Sequence, residues 1–305
     1  MNRTAILMLL AIGFVCFAAT GEQANQGKNL VELYPGVTSG ALSFATLGEL
    51  PDSVLLKKDE LEITSAELES ELAGANGPIQ EQLAKNKLFL LDNLATSRLL
   101  LLQAKADDQG DQPSDASKRD LIQKYLEGVV ADVEVTDDEV ARFYEENKDM
   151  FGGASLDQIK DQLEDYVLGQ KKQDAVKEHI RTMGQRMNIV VAADWVKEQA
   201  KRALDNPVDK ARGSGKPSLI DFGSTGCRPC DMMAPILDTL KTKYEGKLNV
   251  LFIHVQEEQI LASRYGIQSI PVQIFFDKNG KEVFRHTGFY PQEEIEKQLT
   301  EMGVK

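Results

Sequence analysis

Cys227 and Cys230, three positions apart, are the residues of this chain whose type and spacing most directly offer chemistry. Met232, Met233, Ile236, Leu237, Leu240 and Tyr244 follow at helical spacing, so the pair falls on the first turn of a helix, close enough for the two sulfurs to bridge. Cys227 then stands at the helix N-terminus, where unpaired N–H groups and the dipole favour a thiolate, and Arg228 adds a positive charge beside it. Cys230, one turn in, is shielded and suited to resolve a mixed disulfide. A structural disulfide fits so short a separation poorly. A metal site needs more ligands than one CxxC supplies, and no second pair exists. His179, His254 and His286 are far apart in sequence and are expected to be structural or solvent-facing. Disulfide exchange is the expected chemistry, with no metal and no cofactor.

The flanking elements must hold this pair in place. Ser218 to Gly223 is predicted as a short buried strand leading into Gly226-Cys227-Arg228-Pro229-Cys230. A second strand is expected from Leu248 to Val255, then a short helix to Tyr265. Ile270-Pro271 comes next, followed by a strand from Val272 to Phe276. Asp277-Lys278-Asn279-Gly280 is a hairpin turn to a strand over Lys281 to His286, and Pro291 opens a last helix.

Strand, CxxC, helix, strand, helix, Ile-Pro, hairpin and helix in this order resemble the thioredoxin family over about residues 212 to 303. The likeness rests on Asp221 in the strand before the motif, the Cys227–Cys230 pair with Pro229, Pro235 inside the following helix, and Ile270-Pro271. It implies an α/β thioredoxin fold, a redox-active Cys227–Cys230 disulfide and a cis Pro271. It also implies a buried Asp221 that accepts the Cys230 proton. Ile270, Arg228 and Pro229 are the expected substrate contacts, Ile270 offering its backbone to an extended client. A thioredoxin fold kept for binding alone usually shows a lost cysteine; here both are present. The family's first strand has no clear match, so the domain is either trimmed or borrows residues 188 to 192. Gly226 stands where thioredoxin has Trp, and Arg228-Pro229 where it has Gly-Pro. Arg228 is expected to stabilise the thiolate and raise the potential, whereas Ile270 favours reduction or isomerisation over oxidation.

Upstream, the pattern is helical. Thr64 with Glu67, Thr136 with Glu139 and Ser155 with Gln158 are three capping-box signatures. One long helix is expected from about Ile79 to Ala106, its apolar run interrupted by Asp92, Asn93 and Arg98, which rule out a membrane span. Leu121, Ile122, Tyr125, Leu126, Val129 and Val130 line a further helical face, and Ile159 to Met187 recur at helical spacing. With Val135-Thr136-Asp137-Asp138-Glu139-Val140 leading to Phe143-Tyr144, residues 50 to 193 resemble the helical chaperone module of the SurA/PrsA class. That family inserts a parvulin domain where this chain has a short break after Met150, so prolyl isomerase activity is not expected. Ala192 to Ala203 forms another amphipathic helix, with Trp195 as a packing residue.

The chain has 305 residues, 35 basic and 48 acidic side chains and a formal charge of −13. That length allows two domains, and a hydrophobic content of 42% excludes global disorder. The acid excess argues against nucleic acid and anionic lipid as partners. Met1 to Thr20, with Arg3, the apolar Ala5–Ala19 and small residues at Ala18, Ala19 and Gly21, is expected to be a secretory signal, whose loss removes Cys16. Membrane contact is then limited to the signal, and the mature chain is periplasmic or otherwise exported.

The expected organisation is a signal over 1–21, a loosely ordered leader over 22–52, an all-α SurA-N-like domain over 53–193, a helix and linker over 194–216, and a thioredoxin-like domain over 217–305. The expected function is an exported thiol–disulfide oxidoreductase serving unfolded or disulfide-bearing protein clients, with a further redox partner. The alternative is a holdase in which the redox centre is secondary; dimerisation through the helical domain is a third option.

Overall fold

The computed structural model describes residues 28–107 and 117–305. The signal reading, Cys16 and most of the polar loop after Asp107 lie outside the described residues. In chain order the elements begin with α1 (Leu30–Leu33), β1 (Thr46–Gly48), β2 (Val54–Lys58), β3 (Leu61–Thr64), α2 (Ser65–Gly74), α3 (Gly77–Lys85) and α4 (Lys87–Asp107). They continue with α5 (Lys118–Val129), α6 (Asp137–Glu146), α7 (Leu156–Arg186), β4 (Val190–Ala192), α8 (Ala193–Ala203) and α9 (Pro207–Arg212). The last are β5 (Ser218–Gly223), α10 (Arg228–Lys243), β6 (Asn249–His254), α11 (Gln259–Arg264), β7 (Val272–Phe276), β8 (Glu282–Thr287) and α12 (Gln292–Glu301).

The N-terminal region is helix-rich but not all-α. A four-stranded mixed sheet, in the order β1-β4-β2-β3, closes one side of its core. The leader expectation fails because Leu30, Val37, Ala41, Leu42 and Ala45 are fully buried in that core. The sequence there lacks periodicity because the segment packs as a short helix, a 3-10 turn and an edge strand rather than as one element. Asp92 explains how so irregular a stretch stays inside: its carboxylate accepts the backbone N–H groups of Ser39, Gly40 and Leu42 at 3.1, 2.7 and 2.9 Å. Gly184 lets α7 approach it, since a Cβ there would lie 2.3 Å from the Ala41 carbonyl oxygen.

The long helix expected from Ile79 is two helices, parted at Asn86, whose φ of −123° and ψ of 43° leave the helical region. Its amide Nδ2 satisfies the Gln82 carbonyl at 2.8 Å, which makes the break cheap. Thr64–Glu67 and Thr136–Glu139 form reciprocal capping boxes, and Ser155 N–H donates to Gln158 Oε1 at 2.8 Å. Asn29–Glu32 and Ser117–Asp120 do the same at helices not foreseen as capped. Among the described residues no helix is long and apolar enough to cross a membrane.

Residues 188–192 do not complete the C-terminal sheet; β4 pairs with β1 and β2 instead. The C-terminal sheet has the order β6-β5-β7-β8, with β5 parallel to β6 and antiparallel to β7. Helices cover both faces. Ile220, Phe222, Ile274 and Phe276 pack towards α9 and α11, while Leu219 and Phe275 pack towards α10 and α12. The linker expected within 194–216 is therefore largely a packed helix. Asn206 caps α9, whose Val208 and Ala211 enter the second core. Val196, Ala200 and Ala203 of α8 belong to the first core, so the junction is the short turn at 204–206. Trp195 packs against that first core.

Candidate active site

All six residues of β5 are buried, as a central strand covered on both faces requires. After it, Gly226 takes a φ of 78°, a left-handed conformation that a side chain strains, so the place of the family's Trp is here a backbone turn. That turn delivers Cys227 to the N-cap of α10, where its carbonyl accepts Asp231 N–H at 2.9 Å. Pro229 lies in the first turn, where the missing N–H costs nothing. Cys227 and Cys230 are joined in a disulfide with Cα atoms 5.2 Å apart. Cys227 is half-buried, Cys230 is 3% exposed and Arg228 is exposed. Asp231 places a negative charge in the same turn as Arg228.

Asp221 lies on the strand face that meets Cys230. It shares the α10 face of β5 with Leu219 and Gly223, and a Cβ added at Gly223 would lie 3.4 Å from Cys230 Sγ. The carboxyl is fully buried, and burial pushes it up to about 6 against the pull of its one hydrogen bond, from Gln273 Nε2 to Oδ1 at 2.6 Å. Its other oxygen, Oδ2, has no hydrogen-bond partner among the described residues. The Ile270–Pro271 peptide bond is cis. Val272 pairs with Phe222, so Pro271 reaches the end of the sheet at which Ser224 to Cys227 emerge. Pro271 is buried and its carbonyl accepts Gly288 N–H at 2.8 Å; Ile270 is half-exposed.

Two neighbours of the site are not evident from the sequence pattern. His254, at the end of β6, accepts Thr225 N–H on Nε2 at 3.3 Å and so braces the loop before Cys227. Gln273 hides in an apolar strand, although one amide among Val272, Ile274, Phe275 and Phe276 is itself a signal. His179 lies in the N-terminal region, whereas His286 stands opposite Gln273 in the β7–β8 register. His179 meets the Tyr125 hydroxyl at 2.9 Å, and His286 stacks on Tyr290, with burial holding its imidazole below the usual range. Among the described residues no cluster of three or more His, Cys, Asp or Glu is arranged to hold a metal.

A family model for a thioredoxin-like domain matches residues 204–303, starting at the turn between the two cores. The chain is 43% identical over 77 residues to the thioredoxin of Staphylococcus aureus strain Mu50 / ATCC 700699, a match covering 25% of this chain and 73% of that protein. The thioredoxin of Staphylococcus aureus strain MW2 gives the same figures. Among solved structures, a point-mutant thioredoxin from Halobacterium salinarum NRC-1 matches with 26% identity and a TM-score of 0.30, covering 32% of this chain and 83% of that one. With its cysteine pair bonded at the head of α10, the C-terminal domain supports a redox function of the thiol–disulfide oxidoreductase type, and through it this chain belongs to the thioredoxin family.

Proposed function

We propose that the protein is an exported thiol–disulfide oxidoreductase that exchanges disulfides with unfolded or partly folded protein clients, acting as a reductase or isomerase. The carrying observation is the asymmetry of the pair. Cys227 is half-buried at a helix N-terminus, whereas Cys230 is buried over the β5 face that carries Asp221, a carboxyl with one unpartnered oxygen. Cys227 attacks the client disulfide, and Cys230 then gives its proton to Asp221 and resolves the mixed disulfide. Ile270 supplies backbone contact to the client, with Arg228 and Pro229 at the rim. The N-terminal region supports the choice of a protein client. Asn147 and Met150, just after α6, lie against Gly288, and a cleft of about 170 Å³ runs between Gln173 and Lys177 of α7 and Ser269 and Thr287. In this reading residues 50–193 are a SurA/PrsA-like client-holding module. Only residues 147–155 separate α6 from α7, too few for a parvulin domain of ~100 residues.

The potential in a glutathione buffer tests the direction of exchange. A value near about −270 mV supports a reductant, and one near about −120 mV overturns it in favour of an oxidant. Alkylation of the reduced protein at mildly acidic pH labels Cys227 before Cys230; equal labelling counts against the asymmetric mechanism. One observation favours the holdase alternative, with the redox centre secondary: an apolar cleft of about 480 Å³ between the β2–β3 hairpin and α4, beside the half-exposed Leu102. A holdase still suppresses client aggregation after Cys227→Ser and Cys230→Ser, whereas turnover is lost.

A further inference from the structure

Gln273 is a fully buried amide in a strand whose other four residues are apolar. Its Nε2 donates to Asp221 Oδ1 at 2.6 Å, while Gln273 Oε1 and Asp221 Oδ2 have no hydrogen-bond partner among the described residues. Burying such a side chain in a core costs free energy that an aliphatic residue avoids, so its place needs a reason beyond packing. Gln273 stands directly opposite Asp221 in the β5–β7 register, on the α10 face. We propose that Gln273 is a positioning residue for the resolving half-reaction: it holds Asp221 by Oδ1 and leaves Oδ2 free to take the Cys230 proton. This rests on the oxidoreductase reading above and specifies how its second step is timed.

Cys227 thiolate attacks one sulfur of the client disulfide; that S–S bond breaks, a Cys227–client bond forms, and the other client sulfur leaves as a thiolate. The Cys230 proton passes to Asp221 Oδ2, and the Cys230 thiolate attacks Cys227 Sγ. The Cys227–client bond breaks, the second client thiolate leaves, and Asp221 returns the proton to it or to water. Two electrons pass from the dithiol to the client disulfide, leaving Cys227–Cys230 oxidised.

The titratable and charged groups around this face are Cys230, Arg228, Asp231, Asp238 and Lys241 on α10, His254 of β6 opposite Gly223, and His286 of β8 opposite Gln273. The Asp221 carboxyl responds to burial, which raises it, and to the Gln273 amide, which lowers it. Removing the amide therefore moves the onset of base function to higher pH.

The test uses the full-length reduced protein and an aromatic disulfide that releases one coloured thiolate in each half-reaction. With Gln273→Met, the first release keeps its rate, and the pH midpoint of the second rises by on the order of one unit, the value of one hydrogen bond to a charged group. The ¹³C resonance of the Asp221 carboxyl titrates with the same upward shift. Asp221→Asn abolishes the midpoint. A purely structural role for Gln273 lowers the melting temperature without moving that midpoint, and that result overturns the proposal. Gln273→Leu carries the same test where the methionine variant does not fold. Absence of any Cys227-dependent first release is a different failure, that of the oxidoreductase reading itself.

Discussion

Asp221 shows what a buried carboxyl costs the fold that carries it. Its carboxyl titrates near 6 in the folded chain, against an ordinary value of 3.8, because burial penalises the charge and a single amide hydrogen bond does not make up the difference. Between those two values the folded state binds more proton than the unfolded one, so stability falls as pH rises from about 4 to about 6 and stays low above. The shift corresponds to about 3 kcal/mol at neutral pH. Asp221→Asn keeps an oxygen for Gln273 and removes the charge. The variant is therefore expected to be more stable than the parent by about that amount at pH 8 and equally stable at pH 4, in urea unfolding of the oxidised protein. Equal stability at both pH values means that Asp221 is not the buried titrating group. The same substitution is expected to slow resolution by Cys230, so stability and exchange pull in opposite directions at one atom.

Elements with a strong internal period were legible before the structure, and those shaped by tertiary contact were not. Ser218–Gly223, the helix after Cys230 and the Thr64 and Thr136 caps each carry their signal in adjacent residues, and each lies where expected. The segment from Leu30 to Gly48 carries no such signal, because what orders it is Asp92, 50 residues further on. The split at Asn86 is held the same way, by Arg264 of the other core, whereas the helix Pro207–Arg212 does carry a local signal, the Asn206 cap followed by Pro207. In the site, the cysteines, Asp221 and Pro271 stand out by motif, whereas Gln273 shows its meaning only once β5 and β7 are in register. Asp92 allows a direct check. Asp92→Ala leaves three backbone N–H groups without an acceptor in a buried place, each costing about 1–3 kcal/mol. The expected loss is at least about 3 kcal/mol in denaturant unfolding, with earlier proteolysis between residues 36 and 45. A loss under about 1 kcal/mol contradicts the clamp.

At the scale of the whole molecule, the two cores are joined by a polar bolt as well as by apolar contact. Arg264 of α11 is buried, and all five of its N–H groups are used. Nε and Nη2 donate to Gly36 O at 3.0 and 2.6 Å, Nη1 to Ala203 O and Asn86 Oδ1 at 2.7 and 3.1 Å, and Nη2 also to Asp209 Oδ2 at 3.0 Å. Gly36, Asn86 and Ala203 belong to the N-terminal region, whereas Asp209 belongs to the thioredoxin-like domain and is further held by Arg212 and Tyr265. Ile260, one turn earlier, packs on Leu72, Leu83 and Phe89. This joint ties α11 of the thioredoxin-like domain to the α3–α4 break and the end of α8 in the N-terminal region. Arg264→Ala strands several buried acceptors and is expected to cost about 3 kcal/mol or more. Arg264→Lys falls between, since one ammonium cannot reach all four acceptors that the guanidinium serves. The sole tryptophan, Trp195, reports the N-terminal region, whereas far-ultraviolet dichroism reports both. The two probes are expected to unfold together in the parent and to separate in Arg264→Ala, with the Trp195 transition at the lower denaturant concentration. Coincident transitions at an unchanged midpoint mean that Arg264 does not couple the two cores.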